Sequence, residues 1–325
     1  MFDQSEQFND LCSKILGNNF SFYKLSGGIN NSTYLIRNKK IRYVLKKINS
    51  EPTLYFNRYI AEKQFLKLSN TINEIKTPKL IDYFDTERIL ILEYIEPDKN
   101  NYPIKIDYGK IKDCIKFIHK INSNKELGQQ IVKQRASDSF LEVSGHIDNI
   151  NTRIINFETQ HISKQHRDSA ENLLLLLKNK WHNLKKEASN FIEKNQNQNR
   201  IDPYFLIISP SDFGFHNIVV NNGINYFIDF EFSGWDDPAK LYCDFILQPK
   251  FPIPISFHTL LKEKLINREY IFIYEERINL LYKLLEFKWH TIKYSFLNKN
   301  KYNTNQFNKD NLININSNGY LNEIY

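Results

Sequence analysis

Residues 207–245 read IISPSDFGFHNIVVNNGINYFIDFEFSGWDDPAKLYCDF, and the fold is decided by how this stretch is parsed. Three short apolar runs, at 205–208, 218–220 and 226–228, are β-branched or aromatic and end at turn residues, the pattern of strands. Asn221-Asn222-Gly223 predicts a tight turn that joins the last two runs as a hairpin. Acids and amides gather at the open end of that hairpin: Asp212, then Asn217, then Asp229 directly after the third run. Phosphoryl transfer needs one carboxylate to orient and deprotonate the attacking hydroxyl, and an amide with a second carboxylate to hold the metal ions. Asp212 suits the first role, Asn217 and Asp229 the second. Each residue alone is a common turn former. Their order, spacing and strand context together favour chemistry.

The same residues carry a family resemblance. Ile228-Asp229-Phe230-Glu231, Gly234, Asp237-Pro238 and Asp244 follow Asp212 and Asn217 in the order seen in the aminoglycoside phosphotransferase and choline kinase family. That family shares the protein-kinase fold, so the resemblance implies an α+β protein with a small β-rich lobe and a larger α-rich one. By the same resemblance Asp212 is the catalytic base, Asn217 and Asp229 bind Mg2+, and Glu231 assists a second ion. One position departs from the pattern: Pro210 stands where the family has a histidine two residues before the base. The expected effect is altered support of the loop with activity retained.

Upstream, residues 20–25 alternate as a strand, Ser26-Gly27-Gly28-Ile29-Asn30-Asn31-Ser32-Thr33 forms a turn, and 34–37 begins a second strand. A glycine turn between strands can fold over phosphates with its bare N–H groups, although alone it reads as an ordinary hairpin. Its Gly27, Gly28, Asn31 and Ser32 resemble the phosphate loop of choline kinases. Residues 41–48 predict a third strand, in which Lys46 reaches the nucleotide phosphates; Lys47 competes if the register slips by one. A helix over 53–69 carries Glu62, which the resemblance pairs with Lys46. Strands at 79–84 and 89–94 follow, and Glu93-Tyr94-Ile95 resembles the hinge whose backbone, at Glu93 and Ile95, meets adenine. The resulting division is a nucleotide-binding lobe over 1–96 and a catalytic and substrate-binding lobe over 97–325. Helical periodicity marks 108–118, 167–195 and 270–297, whereas 126–166 and the Asn-rich tail from 299 carry no clear pattern.

Bulk composition narrows the partners. The net charge of +7 comes from lysines scattered among Asn and Ile, which argues against a nucleic-acid stripe. Three dispersed cysteines exclude a disulfide framework or a zinc cluster. No apolar run is long enough to span a membrane and no leader pattern opens the chain, so the cytoplasm is expected. Asp229 and Asp237 lie eight positions apart, which leaves no room for a polypeptide-binding activation segment. The expected cofactors are ATP and Mg2+, and the expected partner is a small hydroxyl-bearing molecule such as an alcohol, amino-alcohol or sugar. Phe232, Trp235, Tyr242 and Trp289 could wall a quaternary ammonium, or simply pack the core. The lysine-rich C-terminal helices place a polycationic antibiotic below a metabolic alcohol. A pseudokinase, or a basic RNA-associated protein, is the reading from another class.

Overall fold

Period-two alternation in the first hundred residues resolves into a five-stranded antiparallel sheet. The computed structural model describes residues 5–25, 31–99, 108–248 and 251–299. Strands β1 (Ser21–Lys24), β2 (Asn31–Arg37), β3 (Arg42–Ile48), β4 (Leu80–Phe84) and β5 (Ile89–Glu93) lie in the order β1-β2-β3-β5-β4. Helix α1 (Glu6–Leu16) is capped by the Ser5 side chain. It buries Phe8, Leu11 and Leu16 in one cluster with Tyr34, Ile36, Leu45, Ile89 and Ile91 of the sheet. With helices dominating the remainder, the architecture is α+β, as expected.

Two element starts in this region are corrected. Strand β2 begins at Asn31, not at residue 34: Asn31 and Ser32 lie opposite Ile48 and Lys47 in the β3 register and are strand residues. Helix α2 (Arg58–Asn70) starts five residues later than expected. Asn57 caps it, accepting from the Ile60 N–H at 3.3 Å, while Thr53 and Phe56 close a separate turn.

The chain falls into two compact units, Met1–Ser137 with Ile207–Asp236, and Asp138–Leu206 with Asp237–Tyr325. This division differs from a boundary after residue 96. Helices α3 (Tyr108–Asn122) and α4 (Lys125–Ile131) pack on β6 (Ile207–Ser209), and α4 also packs on α2, so they belong with the sheet. The first unit also holds the expected hairpin, β7 (Ile218–Asn221) and β8 (Ile224–Phe227), turned through Asn222 and Gly223 at φ +49° and +73°. Strand β9 (Gly234–Asp236) pairs antiparallel with β6. β6 itself is displaced from the expected run, because Pro203–Phe205 forms a 3-10 turn capped by Asp202. Gly234, at φ +156°, passes so close to the 135–136 backbone that a Cβ there would sit 2.5 Å from Ala136 N.

The second unit is helical: α5 (Val143–Ile155), α6 (Lys164–Lys194), α7 (Gln196–Asn199), α8 (Pro238–Leu247), α9 (His258–Leu265) and α10 (Arg268–Lys293). Helix α10 ends before the expected 297, where Ser295–Leu297 tightens into a 3-10 turn. Helices α4 and α5 occupy the stretch 126–166 whose pattern was unreadable. Trp181 of α6 stacks on Phe287 of α10 with centroids 5.5 Å apart. Buried charges are paired. The Arg277 fork meets Asp237 at 3.0 and 3.1 Å, and Asp237 also accepts from the Tyr270 hydroxyl at 2.7 Å and caps α8 through Ala239 N–H at 2.8 Å. Lys288 and Lys240 reach Asp244 at 3.0 and 3.2 Å. Beside them His146 is buried edge-on to Phe140; burial first, then Arg277, Lys240 and Lys288, hold its pKa well below the ordinary value.

Candidate active site

The predicted catalytic segments rest on a platform of phenylalanines inside the first unit. Phe213 follows Asp212, and Phe230 follows Asp229. Both rings stack on Phe117 of α3, at 5.4 and 6.1 Å between centroids. Phe227 packs on Phe117 at 4.3 Å, and Phe65 of α2 on Phe230 at 4.3 Å. Aromatic pairs of this geometry contribute about 0.5–1.5 kcal/mol each beyond area burial. The platform therefore fixes where the acids emerge. Backbone geometry then aims them: Ser211 and Asp229 adopt φ of +64° and +65°, a conformation that Asp tolerates better than most residues.

Lys46, in the middle of β3, is the lysine that meets the acids. It is 7% exposed and its Nζ lies 2.8 Å from Glu62 Oε1 and 2.6 Å from Asp229 Oδ1. Lys47 points to the other face and is partly exposed. Burial works against the charge of Lys46, but Glu62 and Asp229 outweigh it and hold the ammonium pKa above its ordinary value. Glu62, 1% exposed on α2, is pushed up to about 7 by burial, against the pull of Lys46. A lysine clamped between a helix glutamate and a loop aspartate presents a fixed positive charge with little freedom to wander.

Asn217 closes the loop that begins at Asp212. Its Nδ2 donates to the Asp212 carbonyl at 2.9 Å, which leaves Oδ1 as the atom free to ligate. Its own carbonyl accepts from Ile228 N–H at 2.9 Å, bringing it beside the residue that precedes Asp229. An amide oxygen and a carboxylate of this kind form an all-oxygen donor set suited to Mg2+. Among the described residues no three His, Cys, Asp or Glu side chains converge to hold a metal ion by themselves. Glu231 is 4% exposed and both of its oxygens are engaged, with Asn31 Nδ2 at 2.9 Å and the Arg58 guanidinium at 3.5 Å. Arg58 in turn lies over the Phe232 ring, 4.6 Å from its centroid.

The remaining predicted residues are placed as follows. Gly27 and Gly28 lie outside the described residues. Ser32 accepts from Asn49 at 3.0 Å on the exposed side of β2. Glu93 ends β5, its carboxylate accepting from Lys79 N–H at 3.2 Å, and Ile95 follows it, half-buried. Sequence reasoning missed the phenylalanine platform, although the repeated Asp-Phe pairs signal it. It also missed Arg58, which lies one helical turn before Glu62 and so on the same face of α2. His216, inside the quoted stretch, was passed over as well; its Nε2 lies 3.5 Å from Asp212 Oδ1.

No protein-family model matches the sequence, and no curated protein matches it. Solved structures do. Spectinomycin phosphotransferase APH(9)-Ia in its AMP-bound complex superposes with a TM-score of 0.58 at 14% identity, covering 90% of this chain and 93% of that one. The same enzyme with ADP and spectinomycin gives 0.56 at 16% identity over 90% and 93%. ADP-bound aminoglycoside phosphotransferase APH(2'')-Ib gives 0.54 at 14% identity over 96% and 95%. The chain has the protein-kinase-like phosphotransferase fold. At such identity the likeness is one of fold.

Proposed function

We propose that this chain is an ATP-dependent phosphotransferase that moves the γ-phosphate of ATP to a hydroxyl of a small alcohol, amino-alcohol or sugar. One observation carries the reading: Lys46, Glu62 and Asp229, from a strand, a helix and a loop far apart in sequence, meet within 2.8 Å. This is the lysine–glutamate–aspartate arrangement that phosphoryl transfer by a kinase-like fold requires. The nucleotide-bound phosphotransferases that share the fold support the choice of ATP as donor.

In this reading Lys46 steadies the α- and β-phosphates, and Glu62 holds Lys46 in place. Asp212, about one-third exposed, accepts the proton of the acceptor hydroxyl. Asn217 and Asp229 would hold Mg2+, which when bound neutralises charge on the transferring phosphoryl group. Glu93 and Ile95 offer backbone to the adenine, and the sequence around Gly27 and Gly28 is assigned to the phosphates by its resemblance to the choline kinase loop. The three cysteines are free and buried, in keeping with a place in the cytoplasm.

The test is release of ADP from MgATP across a panel of amino-alcohols, polyols, sugars and aminoglycosides, run beside Asp212→Asn. Turnover with at least one acceptor, reduced about 10²–10⁴-fold in the variant while MgATP still binds, supports the proposal. A wild-type protein that binds MgATP and turns over no acceptor would instead be a nucleotide-binding regulator. One that binds no nucleotide would not be a kinase of any kind.

A further inference from the structure

The Asp212 loop contains a second titratable side chain that the mechanism above does not use. His216 stands four residues after Asp212, in the 3-10 turn Phe215–Asn217, and its Nε2 faces Asp212 Oδ1 at 3.5 Å. The other ring nitrogen, Nδ1, is buried and has no hydrogen-bond partner among the described residues. These two facts select one form of the ring. A proton on Nδ1 would be a buried donor with nothing to accept it, and it would leave the Nε2 lone pair facing a carboxylate oxygen. A proton on Nε2 points at the carboxylate and leaves only a lone pair buried. The ring therefore presents Nε2–H as a donor towards the carboxylate that takes the substrate proton.

We infer that His216 is a positioning residue for Asp212. Its Nε2–H steadies one carboxylate oxygen so that the other faces the acceptor hydroxyl. A separation of 3.5 Å is long for a hydrogen bond, and such contacts commonly shorten once substrate is in place. The inference rests on the proposed phosphotransferase reading. It adds to that reading that the orientation of the base is set by a side chain from its own loop.

Amide substitutions test this, because Gln and Asn have the same polarity but different reach. The Gln amide nitrogen falls near the Nε2 position and the Asn amide nitrogen near the Nδ1 position. His216→Gln is expected to keep kcat within about 3-fold of wild type. His216→Asn and the apolar His216→Leu are expected to lose about 10–100-fold in kcat, the scale of a misplaced catalytic group, with KM for ATP and acceptor unchanged within about 3-fold. Thermal midpoints and MgADP binding of all three variants show that the fold is intact; should Leu fail to fold, the Gln and Asn comparison still decides. Equal activity of Gln and Asn, or a loss that appears in KM alone, overturns the inference while leaving the phosphotransferase standing. Absence of turnover in the wild-type protein overturns both.

Discussion

Replacing Lys46 by Met should destabilise the protein by an amount that grows with pH. Lys46 sits 7% exposed between Glu62 and Asp229, with Glu62 1% exposed. Removal of the cation leaves Glu62 buried with no positive partner, the situation in which breaking a buried pair costs about 3–5 kcal/mol. Part of that cost is avoided by taking up a proton. In the wild-type protein Glu62 is pushed up to about 7 by burial, against the pull of Lys46. Without Lys46 it rises further. An acid whose folded pKa exceeds its unfolded value loses stability as pH climbs through that interval, and the substitution extends the interval upward. Wild type and variant thus lose ground together below pH 7, and only the variant continues to lose above it. The difference opens by about 1.4 kcal/mol per pH unit, or about 2 kcal/mol between pH 7 and 8.5. Added to about 2 kcal/mol for the lost charged hydrogen bonds, the total at pH 8.5 is about 4 kcal/mol. Urea unfolding at pH 6, 7 and 8.5 with unchanged m-values reads this directly. Glu62→Gln, which removes the titrating group and leaves the Lys46–Asp229 pair, should show no such growth. A difference for Lys46→Met that is flat or shrinks towards alkaline pH would refute the reasoning.

Other consequences are as open to measurement. Gly234→Ala places a methyl 2.5 Å from the Ala136 nitrogen at a φ essentially reserved for glycine; a loss of about 2–4 kcal/mol in urea unfolding is expected, and less than 1 kcal/mol would show that the neighbouring backbone yields freely. His146 is kept neutral in the fold, so below pH 6.5 the unfolded chain binds a proton that the folded one refuses, and stability falls by up to about 1.4 kcal/mol per unit. His146→Gln should flatten the stability profile between pH 6.5 and 5 by about one proton's worth. Arg277→Met strips the buried Asp237 of its fork and should cost about 3–5 kcal/mol, whereas the double change Arg277→Met with Asp237→Asn should recover part of the loss, as a double-mutant cycle would report.

Where local pattern and tertiary environment agreed, the sequence was readable. The β7–β8 hairpin follows from Asn222-Gly223, the long helices from their apolar stripes, and the α+β class from the change of period near residue 98. Period two narrowed the lysine to Lys46 or Lys47, and Glu62 was nominated from the family resemblance, since a helix glutamate by itself carries no local signal. Asn31 was read as a turn residue since Asn-Asn-Ser favours turns by propensity, but pairing with β3 extends the strand through it. The start of α2 was misjudged because Tyr55 and Phe56 continue the apolar pattern, although the Asn57 cap is the physical boundary. Arg58 and His216 went unnoticed for another reason. Their partners, Glu231 at 3.5 Å and Asp212 at 3.5 Å, are set by the approach of separate segments and by a 3-10 turn, neither of which has a period to read.

Phe117 serves both acid-bearing segments. Because the residues after Asp212 and Asp229 both stack on its ring, the two acid-bearing segments have a support in common. A substitution that shrinks that ring would therefore disturb both carboxylates together rather than one alone. A machine built this way tolerates softness in its mounting, provided that the mounting is common to all the parts that must stay in alignment.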